Sequence, residues 1–148
     1  MWHIGAFLIW LTMCCGLAAL VGGAAERRAA ALLVLAYVAS FIAARIRAHS
    51  QYTAVYYDAW IIDLLLLIAL YVLAIRSTRF WPMWLVAIHV LAVIAHLLRV
   101  IDPLMMFEGY YGIINLAGWP MAGIVGIAAF RHRYRVRRFG SDPSFATF

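Results

Sequence analysis

Leu64-Leu65-Leu66-Leu67-Ile68-Ala69-Leu70-Tyr71-Val72-Leu73-Ala74-Ile75-Arg76-Ser77-Thr78-Arg79 is the stretch that decides the fold. An uncharged run stops at two arginines, and a second run free of Asp, Glu, Lys and Arg opens at Phe80 and lasts to Leu98. A helix needs about 20 mainly apolar residues to cross a bilayer. The same alternation of apolar run and arginine repeats along the chain. It predicts five spans, at Trp2–Val21, Ala29–Ile46, Val55–Ile75, Pro82–Ile101 and Gly112–Phe130. Backbone groups in hydrocarbon must bond internally, so each span is expected to be a helix.

Composition agrees. The chain has 148 residues, 68% hydrophobic and 12% charged, where a soluble domain carries about 25% charged residues. Too few polar side chains exist to cover a surface in water. The expected fold is an all-α membrane protein, a five-helix up-down bundle over residues 1–130 with a basic tail over 131–148. Short loops favour antiparallel neighbours. Pro82 suits a first helical turn, and Pro120 inside the fifth span predicts a kink. The run Ile4–Val21 has no Lys or Arg before it and exceeds the usual signal-peptide core of about 7–15 residues. It reads as a retained first span. Cys14 and Cys15, adjacent and within an apolar run, read as small buried apolar residues.

Every one of the twelve basic residues is arginine. With five spans, the 1–2 loop, the 3–4 loop and the tail share one side and hold nine: Arg27, Arg28, Arg76, Arg79, Arg131, Arg133, Arg135, Arg137 and Arg138. Arg45, Arg47 and Arg99 belong to the other side. The positive-inside rule makes the nine cytoplasmic and the N-terminus external, in a bacterial inner membrane. Trp2, Trp60, Tyr110 and Tyr111 are then expected in an outer aromatic belt, and Trp81, Trp84 and Tyr134 in an inner one. The net charge of +6 points to lipid headgroups rather than nucleic acid. Arg131, Arg133, Arg135, Arg137 and Arg138 are the expected contacts with anionic headgroups.

Ionisable groups inside a bilayer are costly and mark candidate sites. At 1.5 Å per residue, Asp63, His96 and Arg99 lie roughly 20–26 Å from the cytoplasmic ends of their spans. Arg45 and Asn115 fall at roughly 23–25 Å. Five polar residues on four helices thus enter one layer in the outer half. Two roles compete for them: a structural one, with Asp63 paired to Arg99 or Arg45 or with Arg45 and Arg99 snorkelling to the outer headgroups, and a functional polar site. His89, Ala92, His96 and Arg99 share one helix face, which could line a hydrated path or relay protons. For His89 alone, a bond to a backbone carbonyl or hydroxyl is the expected role.

Two further groupings complete the candidates. The outer loops carry Tyr56, Tyr57 and Asp58, and Glu108, Tyr110 and Tyr111, as a vestibule above the polar layer or as belt residues. Gly118, Ala122 and Gly126 lie four apart on one stripe, which lets helices approach closely. The stripe suits packing within one chain or between subunits.

Several chemistries are excluded or disfavoured. The absence of lysine removes retinal Schiff bases, P-loops and lysine-based covalent catalysis. No H-E-x-x-H, G-x-S-x-G or Cys-x-x-Cys occurs, so no enzyme, metal or obligate cofactor is expected. His89 and His96 lie roughly 10.5 Å apart on one face and cannot share one haem iron; haem through His96 needs a histidine from another helix. The leading expectation is an oligomeric channel- or transporter-like protein for protons or small ions, its pathway between subunits. A non-catalytic subunit or assembly factor of a larger membrane complex is the second. A membrane enzyme or haem protein is the third.

Overall fold

The computed structural model describes the backbone of residues 2–49, 57–101 and 107–145, and side chains within 4–46, 58–98 and 116–145. Five helices follow in order: α1 Trp2–Val21, α2 Ala24–His49, α3 Tyr57–Arg76, α4 Trp81–Ile101 and α5 Phe107–Phe139. Among the described residues, the one departure from helical pairing is an isolated bridge between Ser77 and Phe145. Four helices are long and apolar enough to cross a membrane, over Ile4–Val21, Ala24–Ile46, Asp58–Arg76 and Trp81–Leu98. The expected fifth span, Gly112–Phe130, lies within α5, which continues through Pro120.

Two boundaries differ from expectation, each for a local reason. α2 starts at Ala24 rather than Ala29, because Gly23 caps it: the Arg27 amide donates to the Gly23 carbonyl at 3.0 Å. Glu26, Arg27 and Arg28 therefore belong to the helix. The tail does not begin at Arg131 as a separate segment. No Gly or Pro occurs between Phe130 and Phe139, so α5 runs on until Gly140. That residue has φ 79°, a left-handed conformation that glycine adopts freely. Its amide donates to the Val136 carbonyl at 2.9 Å and closes the helix end.

The helices are apolar on the outside as well as the inside. Ile9, Leu20, Leu35, Leu65, Ile75, Leu91 and Ile127 are all exposed. Helices hydrophobic all round are core helices or membrane spans. In a chain this small the exposed apolar belt makes it a membrane protein.

Each helix packs on its chain neighbours, and α5 returns to α1, so the five form a ring. α1 and α5 run parallel. Phe7 meets the Trp119 ring at 5.6 Å, Trp10 Nε1 donates to the Trp119 carbonyl at 3.0 Å, and Cys14 lies against Gly126. The α1–α2 turn, the α3–α4 turn and the end of α5 meet at one end of the ring. There the Thr78 amide donates to the Ser144 carbonyl at 3.2 Å, and Arg28 stacks 4.5 Å over the Phe145 ring. The nine arginines of the loops and tail therefore gather at one end.

Near that end the interior is made of small residues. Ala18, Ala25, Ala29, Ala122 and Ala129 are fully buried. Cys14 and Cys15 are buried free thiols in the same core. A Cβ on Gly126 would lie 3.2 Å from Cys14 Sγ, and one on Gly118 would lie 3.0 Å from the Phe7 ring. Gly118, Ala122 and Gly126 thus pack inside the chain, with the two glycines directly against α1. Close approach of backbones supplies the dispersion contacts that hold helices together where lipid offers no hydrophobic drive.

Candidate functional site

Asp63 on α3 faces two histidines on α4. Its carboxylate Oδ2 lies 2.7 Å from His96 Nε2. Its backbone carbonyl accepts from His89 Nε2 at 2.9 Å, and Oδ1 is 3.9 Å from the same nitrogen. Helix geometry explains the division. Side chains tilt toward a helix N-terminus, while carbonyls point toward the C-terminus. One residue on α3 therefore reaches in two directions along antiparallel α4. Because a carbonyl only accepts, the proton of His89 sits on Nε2. Both imidazoles are buried, with 6% and 7% of their side chains exposed, and Asp63 keeps 19%.

That remaining exposure faces a cavity. A volume of about 460 Å³ lies inside the ring, in the half away from the arginine end. Asp63, His89, Tyr37 and Ser40 supply its polar groups, and Phe7, Leu66, Trp119 and Met121 are among its apolar walls. His96 stands behind Asp63 rather than on the wall. Apolar walls with a few converging polar groups are typical of small-ligand sites. Beyond this cavity the ring closes on Leu70, Leu85 and Val125, all fully buried.

The other members of the expected polar layer divide. Arg45 is exposed and stacks over the Phe41 ring of its own helix at 5.0 Å, so it does not approach Asp63 as its depth suggested. The side chains of Arg99 and Asn115 lie outside the described residues, as do those of Tyr56, Tyr57, Glu108, Tyr110 and Tyr111. Asp58 occupies the first turn of α3, where the helix dipole favours an acid. His96 Nε2, a nitrogen that a haem iron would require, lies against the Asp63 carboxylate. Among the described residues no three His, Cys, Asp or Glu side chains form a metal-ligand group.

A second polar cluster occupies the arginine end. Asp142 accepts from Arg79, from His132 Nδ1 at 2.7 Å and from Arg135 Nε at 3.0 Å. Burial works against its charge. The hydrogen bonds from Arg79, Arg135 and His132, with the Arg79 charge, outweigh that and hold Asp142 below the ordinary carboxylate range. Arg79 also donates to the Pro143 carbonyl at 3.0 Å. Residues 140–145 are thereby strapped across the bundle end. Arg135 is thus tied to the chain itself, whereas Arg131, Arg133, Arg137 and Arg138 are exposed. Glu26, in the first turn of α2, is fully buried beside His132 and Ser144, which crowd Gly23 with it.

Sequence reasoning missed Asp142 and the cavity residues Tyr37, Ser40 and Trp119. Asp142 did carry a signal, being the only acid after Glu108 in a strongly basic segment. The cavity carried none, since a void comes from the fit of five helices together.

No family model matches the chain, and neither curated proteins nor solved structures give a match.

Proposed function

We propose that this membrane protein is channel- or transporter-like and takes up protons or small cations at Asp63. The single observation that carries the reading is a half-buried carboxylate, flanked by two buried imidazoles, that opens on a half-enclosed cavity. An ionisable group inside a span marks a candidate site for handling protons or ions. His96 meets the carboxylate from one side, and His89 fixes the α3–α4 register from the other. The pathway we favour runs within one chain, because Asp63, His89, Tyr37 and Ser40 line the cavity without a partner subunit. We read the arginine end as cytoplasmic, so the cavity belongs to the outer half of the bilayer.

The test is proton or cation flux into liposomes carrying the purified protein, followed with an internal pH dye or a cation-sensitive dye. The wild type is expected to dissipate an imposed gradient, and Asp63→Asn to lose that activity while remaining folded. Equal flux from the wild type, Asp63→Asn and empty liposomes would remove the proposal.

A further inference from the structure

A second cavity lies on the opposite half of the molecule, at the arginine end between α4 and α5. It encloses about 390 Å³. One side is basic, with Arg79, Arg131 and Arg135. The other is apolar and aromatic, with Trp84 and Ile127, which are 57% and 63% exposed and continue onto the outer apolar surface. We infer that this groove is a binding site for one anionic phospholipid, its phosphate against the arginines and its chains along α4 and α5.

Charge supports this occupant. Three guanidiniums border the groove, and Asp142 is the one carboxylate paired with any of them among the described residues. Arg131 has no carboxylate at ion-pair distance among those residues and is exposed. Two positive charges remain for a ligand. Asp142 also holds Arg79 and Arg135 in place, so less side-chain freedom is lost when a phosphate arrives. Planar guanidiniums suit phosphate oxygens, which they contact through paired N–H groups. The apolar wall selects the source of that phosphate. Trp84 and Ile127 offer nothing to a free anion, but they suit the glycerol and first methylenes of a lipid. Tryptophan at this level matches the aromatic belts found at membrane interfaces. The inference rests on the membrane reading and is independent of transport at Asp63.

The experiment is native mass spectrometry of the whole chain released from uncharged detergent. The protein is titrated separately with phosphatidylglycerol, phosphatidylcholine and glycerol 3-phosphate. One phosphatidylglycerol is expected to remain on each chain, with the other two held weakly. Arg131→Gln, a change at an exposed position, should weaken that binding about fivefold. Arg133→Gln and Arg137→Gln, exposed but outside the groove, should leave it unchanged. The inference is overturned if phosphatidylcholine binds as tightly, if glycerol 3-phosphate alone suffices, or if all three variants weaken binding equally.

Discussion

Asp63 reaches His96 across the α3–α4 seam at 2.7 Å, and the contact is sealed from one side and open to a cavity on the other. The pair is therefore both a fastening between two helices and a wall of the interior space. The fastening is testable apart from any transport. Asp63→Ala removes the acceptor facing His96 and should destabilise the bundle by about 1–2 kcal/mol. Asp63→Asn keeps an oxygen there and should lose less. His89 uses the Asp63 carbonyl, which both substitutions retain, so His89→Ala should add its own loss nearly independently. Thermal or SDS unfolding of the single and double variants measures this. Unchanged stability in Asp63→Ala would show that the pair does not hold the seam.

Gly126 sets the distance between α1 and α5. A Cβ there comes within 3.3 Å of both Cys14 Sγ and Cys14 Cβ. Gly126→Leu should wedge the helices apart and cost about 1–3 kcal/mol, and Gly126→Ala should cost less. Shortening the opposing side chain with Cys14→Ala should recover part of the loss in the double variant. Unfolding midpoints of the four proteins give the coupling directly. Equal losses with and without Cys14→Ala would mean that the strain falls elsewhere.

Acid should release the strap at residues 140–145. Asp142 has a lowered value when docked, so its contribution is present above the ordinary aspartate value of 3.8. It declines as pH falls below that value and through the docked one. Hydrogen exchange at Thr78, whose amide donates to the Ser144 carbonyl, reports the docking. Its protection should fall in the acid range, and Asp142→Asn should show weak protection already at neutral pH. Protection in that variant equal to wild type would show that the backbone contacts suffice alone.

Filling the cavity should separate stability from activity. Ala36 lines it and packs on the core. Ala36→Phe adds apolar contacts in the void and should raise stability by about 0.5–2 kcal/mol. The same change should abolish flux by occupying the space in front of Asp63. A melt combined with the liposome assay checks both. A stabilised variant with full flux would take the cavity out of the pathway.

The amino-acid pattern revealed the helices because apolar runs and arginine breaks act locally, through the cost of placing charge in hydrocarbon. It also placed Asp63 and His96 at one depth, since depth along antiparallel helices is simple arithmetic, although the partners it named for Asp63 were Arg99 and Arg45. It left Arg45 open between pairing with Asp63 and snorkelling outward, because depth says nothing about rotation around a helix axis, and Arg45 turns outward onto Phe41. It had given His89 a backbone carbonyl or a hydroxyl as partner but not which, since the choice of the Asp63 carbonyl depends on the opposite tilts of carbonyls and side chains. The strap depends on Gly140 reversing the chain, a tertiary event with one residue as its trace.

The fully buried alanines near the arginine end have a kinetic consequence. Alanine has no χ torsion, and Leu70, Leu85 and Val125, which close the ring beyond the cavity, are fully buried in a close-packed interior. If ions enter at Asp63 as proposed, they stand in a blind alley that single side-chain rotations do not open. Onward passage requires whole helices to part, a collective movement on the microsecond-to-millisecond scale. Any turnover through this protein should therefore have the pace of a carrier, not of an open pore.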